Sequence, residues 1–244
     1  MGPTAATPYP LPVVAPGNPF DKSHEYEAML ARGLRLSGED RAFFMEGRVR
    51  DLREQLPTGF APRRVLDLGC GTGETSAHLA CVFPRAEVLG IDTAEAALDH
   101  AREAHESERV RFARVRDFDA EGRYDLCYTN GVFHHIAPVE RLGVVRMVHR
   151  ALTPSGRFAL MENNPWNPGA RWVMARIEFD RDSIPLAAPE TRRLLREGGF
   201  ADTAPARFLF VFPRALRFLR FLEPWLTRLP LGAQYYVLAA KEAA

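Results

Sequence analysis

The chain has 244 residues, 46% of them hydrophobic and 26% charged, the balance of a soluble globular protein. Lys and Arg number 32 against 31 Asp and Glu, and a formal charge of +1 gives no overall pull toward nucleic acid. The longest apolar runs, Phe208 to Phe212 and Tyr235 to Ala240, fall far short of the roughly 18–20 residues a membrane span needs.

No basic segment followed by an apolar one opens the chain, so no secretory leader is expected. Cys70, Cys81 and Cys127 are odd in number and far apart, with no CxxC or Cys/His spacing. A disulfide framework and a metal site are therefore not expected, and the reading is a reduced, cytoplasmic domain.

In chain order, residues 1–19 are rich in proline (Pro3, Pro8, Pro10, Pro12, Pro16 and Pro19) and read as a flexible N-terminus. Residues 20–60 read as two helices, with Tyr26, Met29 and Leu30 on one face and Phe43, Phe44, Val49 and Leu52 following. From residue 61 the period changes. Strands are expected at Arg64–Leu68, Val88–Ile91, Val110–Val115, Tyr124–Thr129 and Arg157–Met161. Helices at Glu74–Phe83, Ala94–Ala104 and Val139–Ala151 lie between them. This alternation predicts an α/β fold, a doubly wound, mostly parallel sheet with helices on both faces. Two more helices, Arg171–Phe179 and Pro189–Glu197, and two final strands, Ala206–Val211 and Gln234–Ala239, complete a sheet of seven strands. Between those strands, at about 213–230, apolar residues at helical spacing and four arginines predict an inserted amphipathic helix. Such a helix could cover a pocket, join subunits or touch a membrane surface peripherally; simple packing on the core edge is the plainest reading.

The strongest chemical signal is Asp67-Leu68-Gly69-Cys70-Gly71-Thr72-Gly73, a buried strand running into a glycine turn that opens a helix. Glycines admit a ligand close to the backbone, and the helix N-terminus offers N–H groups to a carboxylate or phosphate. Asp92 ends the second strand, where a carboxylate can bind both hydroxyls of a ribose; the competing role is to cap the next helix, which Thr93 could do instead. A dinucleotide fingerprint needs a glycine at position 74, which here is Glu74. The spacing therefore favours S-adenosylmethionine over nicotinamide.

These residues resemble the D-x-G-x-G-x-G motif of class I S-adenosylmethionine-dependent methyltransferases. Further matches follow in order: Gly90-Ile91-Asp92, Arg116-Asp117-Phe118, Tyr124 to Ile136, and Leu152 to Arg157. The resemblance implies that Gly69, Gly71 and Gly73 line the methionine part of the cofactor, with Asp67 orienting the loop. It assigns Asp92 to the ribose and Asp117 to the adenine amino group, with Cys70 and Thr93 also among the cofactor-binding residues. Phe118 would donate its amide to the adenine, and Asn130 and Phe133 would lie on the cofactor's other side. Helices before the first strand act as a lid in related folds, which makes Tyr26 a site residue. The implied reaction is methyl transfer to a small molecule, to oxygen rather than nitrogen or carbon, in bacterial secondary-metabolite, sugar or lipid biosynthesis. His135 is the first candidate for a base, with His134 and Glu162 behind it; a structural role for both histidines competes. A monomer or homodimer is expected. The alternatives are a nucleotide-dependent oxidoreductase and a cofactor-binding scaffold without activity.

Overall fold

The computed structural model describes residues 37–177, 180 and 183–242. Tyr26, the proline-rich 1–19 segment and the first expected helix lie outside the described residues. Helix α1 (Arg41–Gln55) starts where the Asp40 carboxylate accepts the Phe43 amide at 2.8 Å. Then come β1 (Arg64–Leu68), α2 (Glu74–Val82), β2 (Glu87–Asp92), α3 (Glu95–His105) and β3 (Val110–Arg114). The chain continues with β4 (Tyr124–Asn130), α4 (Pro138–Ala151), β5 (Leu152–Asn163), α5 (Pro168–Met174) and α6 (Ala188–Glu197). Short strands β6 (Asp202–Thr203) and β7 (Arg207–Leu209), helix α7 (Glu223–Leu226) and strand β8 (Gln234–Ala240) close it.

The sheet runs β3-β2-β1-β4-β5-β8-β6, parallel from β3 to β5 and antiparallel at β8. The expected strand Ala206–Val211 is the shorter β7, and β6 before it adds a strand to the expected set. β6 pairs with Ala239 and Ala240, while β7 pairs with Gln234 to Tyr236, so both lie along one edge of β8. The sheet thus has eight strands in seven positions among the described residues. Strand residues alternate between two cores. Leu66, Leu160 and Val237 pack toward α4 and α6 on one face. Val65, Ala159 and Tyr236 pack toward α1, α2 and α3 on the other.

α1 is tied to that second face by polar contacts as well. Arg48 donates to the Tyr128 hydroxyl at 3.2 Å and to Gln234 at 2.9 Å. Asp51 accepts two hydrogen bonds from Arg207, at 2.8 and 3.0 Å, and one from Tyr236 at 2.7 Å. This helix is therefore one layer of the fold, fixed against the sheet.

The segment expected as one amphipathic helix is a 3-10 helix, Arg214–Leu222, broken at Leu216, followed by the single turn α7. None of its helical residues is buried, and Phe218 and Trp225 are 67% and 73% exposed. It rests on the start of α1 through Arg220, which bonds Glu39 and lies over the Phe43 ring, with Leu219, Leu222 and Leu226 half-buried, and this partial burial does not hold it in α-helical form.

Candidate functional site

Strand order reverses between β1 and β4, so the loops leaving their C-terminal ends flank a crevice, the place where open α/β sheets bind ligands. On the β1 side lies the glycine turn. Gly69 and Cys70 donate their amides to Ile91 O at 2.8 and 3.1 Å, stitching the turn to β2. Gly73 has φ +87°, and a Cβ there would lie 2.7 Å from the Phe112 ring, so the bend fits only glycine. Gly71 also has positive φ, +52°, but a Cβ there would meet nothing within 4 Å. Its missing side chain leaves open space over the loop.

Asp92 ties the glycine turn to the segment before α3 but does not cap that helix, whose N-cap position is Ala94 and has no side-chain capping bond. One carboxylate oxygen accepts the Thr93 and Ala94 amides, at 2.7 and 2.9 Å, and the other accepts Gly71 at 2.8 Å. Thr93 does not cap the helix either. The same carboxylate thereby fixes the height of the glycine turn, and burial raises its pKa above the ordinary range. Asp67 is buried beneath the turn and accepts the Ser76 hydroxyl at 2.6 Å. Burial pushes its pKa up to about 7, against the lowering pull of that hydrogen bond. The buried Cys70 thiol is also raised well above its usual value, by burial and then by Asp67, and so stays neutral. Arg41 of α1 reaches across to Glu74 at 2.7 Å and to Thr72 at 3.4 Å, closing one end of the turn; no sequence motif marks it.

Beyond β3, a 3-10 turn (Val115–Asp117) ends at Asp117, which is exposed, with Arg116 at 3.9 Å as its ionic neighbour among the described residues. The Phe118 amide donates to Val115 O at 3.1 Å, and its ring packs against Tyr124. That amide, expected to face a ligand, is used within the turn.

On the β4 side the structure brings together Asn130, Phe133, His134, His135 and Glu162. Val132 presses on the glycine turn, and a Cβ on Gly69 would lie 2.3 Å from its methyl. Asn130 ends β4 opposite Met161. The Phe133 ring is fully buried against Phe158, so its side chain belongs to the core rather than the crevice. Glu162 ends buried as well: one oxygen accepts the Phe133 amide at 2.7 Å and the other meets His134 Nδ1 at 2.6 Å. Both oxygens are engaged inside the protein, so Glu162 orients His134. Burial alone would lower the His134 pKa, but the Glu162 charge and then Asp180 raise it to about 10. The two carboxylates thus favour the protonated form of His134. His135 is the more accessible of the two rings, with its centroid 4.0 Å from His134. Both Nε2 atoms face Asp180, at 3.5 and 3.4 Å, and Asp180 is held below the usual carboxylate range. Asp180 lies far along the chain in a stretch with no periodic pattern, and the sequence offers no spacing that would pair it with the histidines.

After β5, Asn164 and Asn167 bind the backbone of Pro230, Leu231 and Gly232, and Trp166 is half exposed on this loop. Among the described residues no helix is long and apolar enough to cross a membrane.

The geometry agrees with what known proteins show. Residues 66–158 match the family described as "Methyltransferase domain". The trans-aconitate 2-methyltransferase of Variovorax paradoxus is 31% identical over 198 residues, covering 73% of this chain and 76% of that one. The Methylobacterium nodulans enzyme of the same name is 34% identical over 132 residues, and the matched region spans 48% of that relative's length. An S-adenosylmethionine-dependent methyltransferase from Mesorhizobium loti shares the fold, with a TM-score of 0.58 at 22% identity, covering 81% of this chain and all of that one. A glycine turn stapled by Asp92, facing a polar cluster across the β1–β4 crevice, and a relative matched over three quarters of its length lead to one assignment: the chain belongs to the class I S-adenosylmethionine-dependent methyltransferases.

Proposed function

We propose that this protein transfers the methyl group of S-adenosylmethionine to an oxygen of a small-molecule acceptor. One observation carries the reading. The glycine turn, open above Gly71, stands across a single crevice from the His134–His135 cluster, so donor and acceptor sites share one edge of the sheet. In this reading Gly69, Cys70, Gly71 and Gly73 hold the methionine part, with Asp67 beneath them. Asp92 and Thr93 take the ribose and Asp117 the adenine amino group.

The sulfonium already carries an activated methyl, because its leaving group is a neutral thioether. What remains is to set an oxygen in line with the S–CH3 bond and to exclude water. His135 is the polar side chain placed to contact the acceptor, and Glu162 acts through His134 as a positioning residue. The relatives' acceptor is trans-aconitate, a small polycarboxylate. A carboxylate arrives as an anion, so attack on the cationic sulfonium neutralises both charges and needs no proton removed.

The test uses methyl-labelled S-adenosylmethionine with a panel of small carboxylic acids, aconitate isomers among them, together with phenols and sugars. Expected is acceptor-dependent label in one class: base-labile for a methyl ester, stable for an ether. Asp92→Ala should abolish both transfer and micromolar S-adenosylhomocysteine binding. Wild-type protein that binds no S-adenosylhomocysteine and labels no acceptor would overturn the proposal.

A further inference from the structure

We propose that His134, His135 and Asp180 form a binding site for one divalent transition-metal ion, zinc-like in its preferences, with Glu162 as the outer carboxylate. The two histidines sit on the 3-10 turn Phe133–His135 that follows β4, and Asp180 comes from the chain between α5 and α6. One ligand atom from each of the three lies within 4.8 Å of the other two.

The distances separate hydrogen bonding from shared coordination. His134 Nδ1 to Glu162 Oε2 is 2.6 Å, a short charge-assisted hydrogen bond. Both Nε2 atoms, by contrast, converge on the same oxygen, Asp180 Oδ1, from 3.5 and 3.4 Å. That is long for N–H···O, whose usual distance is about 2.9–3.0 Å. It matches the ligand-to-ligand edge of a tetrahedral site, which is about 3.4 Å for bonds of about 2.1 Å.

The surroundings fit the same reading. A metal-binding imidazole characteristically gives its other N–H to a carboxylate, which fixes the tautomer and turns the free nitrogen toward the ion. Glu162 does this for His134 Nδ1, and is itself held by the Phe133 amide at 2.7 Å. The Glu162 and Asp180 side chains are only 1% and 7% exposed. Two carboxylates there, with two neutral imidazoles, are balanced by one dication. The Asp180 side is braced: Ile184 donates its amide to His134 O at 2.8 Å, and Arg141 binds the carbonyls of Ile136 and Ile184. Two imidazoles and one carboxylate suit zinc, iron(II), cobalt or nickel better than magnesium or calcium. His135 is 20% exposed, so the cluster reaches solvent and leaves a coordination position accessible. A metal there would hold an acceptor oxygen; that role rests on the proposed methyl transfer, whereas metal binding itself does not.

The experiment uses untagged full-length protein, stripped with chelator and titrated with cobalt(II) while its visible absorption is recorded, then with zinc to displace it. Expected is one equivalent bound at micromolar affinity or tighter, with the intense visible bands of a tetrahedral ion. Asp180→Asn and His135→Ala should weaken it at least about 100-fold, and Glu162→Gln about 10–100-fold. The chain has seven histidines, so the variants decide rather than the stoichiometry alone. S-adenosylhomocysteine titration of each variant separates lost metal binding from lost folding, and wild-type titration with it tests the cofactor reading independently. Wild-type protein without saturable binding, or an unchanged cobalt spectrum and affinity in a folded Asp180→Asn, would overturn the proposal.

Discussion

Two neighbouring glycines of one turn should respond to the same substitution in opposite ways. An alanine in the left-handed region costs about 1–2 kcal/mol, partly offset by about 0.4–1 kcal/mol from a stiffer unfolded chain. For Gly71, with φ +52° and no atom within 4 Å of the added methyl, nothing more is lost. Gly71→Ala should therefore cost about 1 kcal/mol, or about 2–4 °C in Tm for a chain of this size. For Gly73 the methyl would sit 2.7 Å from Phe112 and 2.9 Å from Ala101. Overpacking of that kind adds about 1–3 kcal/mol, so Gly73→Ala should lower Tm by about 5–15 °C. Ligand binding reverses the ranking. The Gly71 methyl enters the space over the turn, and S-adenosylhomocysteine affinity should fall at least about tenfold, which is about 1.4 kcal/mol. Thermal melts and calorimetric titration of both variants provide the check. Unchanged affinity in Gly71→Ala, or a Tm loss as large as that of Gly73→Ala, would refute the assignment of that open space to the cofactor.

Asp67, with its pKa raised from 3.8 to about 7, makes the ligand-free fold pH-sensitive. Below pH 4 both folded and unfolded states hold the proton, and between about 4 and 7 only the folded state does. Its contribution to stability therefore declines as pH rises through that window. Asp67→Asn should flatten the Tm profile there and melt above wild type at pH 8, while binding the cofactor product more weakly. Asp51→Ala strands Arg207 and the Tyr236 hydroxyl together and should cost about 2–3 kcal/mol in denaturant unfolding, with S-adenosylhomocysteine affinity nearly unchanged. Trp225→Ala, at a side chain 73% exposed, should leave unfolding free energy within about 0.5 kcal/mol of wild type. A larger loss would show that Trp225 is covered in solution.

The parallel half of the sheet was legible because its inner strands carry short apolar runs buried on both faces, its edge strand β3 alternates, and its turns carry glycine where φ must be positive. The glycine turn and Asp92 were legible for the same reason: a backbone constraint restricts residue type at a fixed spacing. Period alone failed at residues 214–229, where helical spacing describes a face on which, among the described residues, no position from Arg214 to Leu226 is fully buried. Phe133 failed differently, since its place in the motif suggested a ligand contact while its size and apolarity took it into the core. Asp180 and Arg41 carry no local signature. They reach the site through tertiary contacts, so only the folded chain shows them beside His135 and the glycine turn.

The docking of α1 bears on the order in which this chain can be completed. Arg48 and Gln234 are 186 positions apart, and Asp51 and Tyr236 are 185. A ribosome makes α1 long before these partners. The strands from β1 to β5 can assemble as they emerge, so the cofactor turn can be built early. The carboxylate of Asp51 must wait in water until β7 and β8 arrive, while Arg48 can already bond Tyr128 of β4. Full closure of the second face therefore waits for β8. A chain released short of β8 would keep the nucleotide end of its crevice while α1 lacked its Gln234 and Tyr236 anchors, leaving that edge of the helix open to chaperones and proteases.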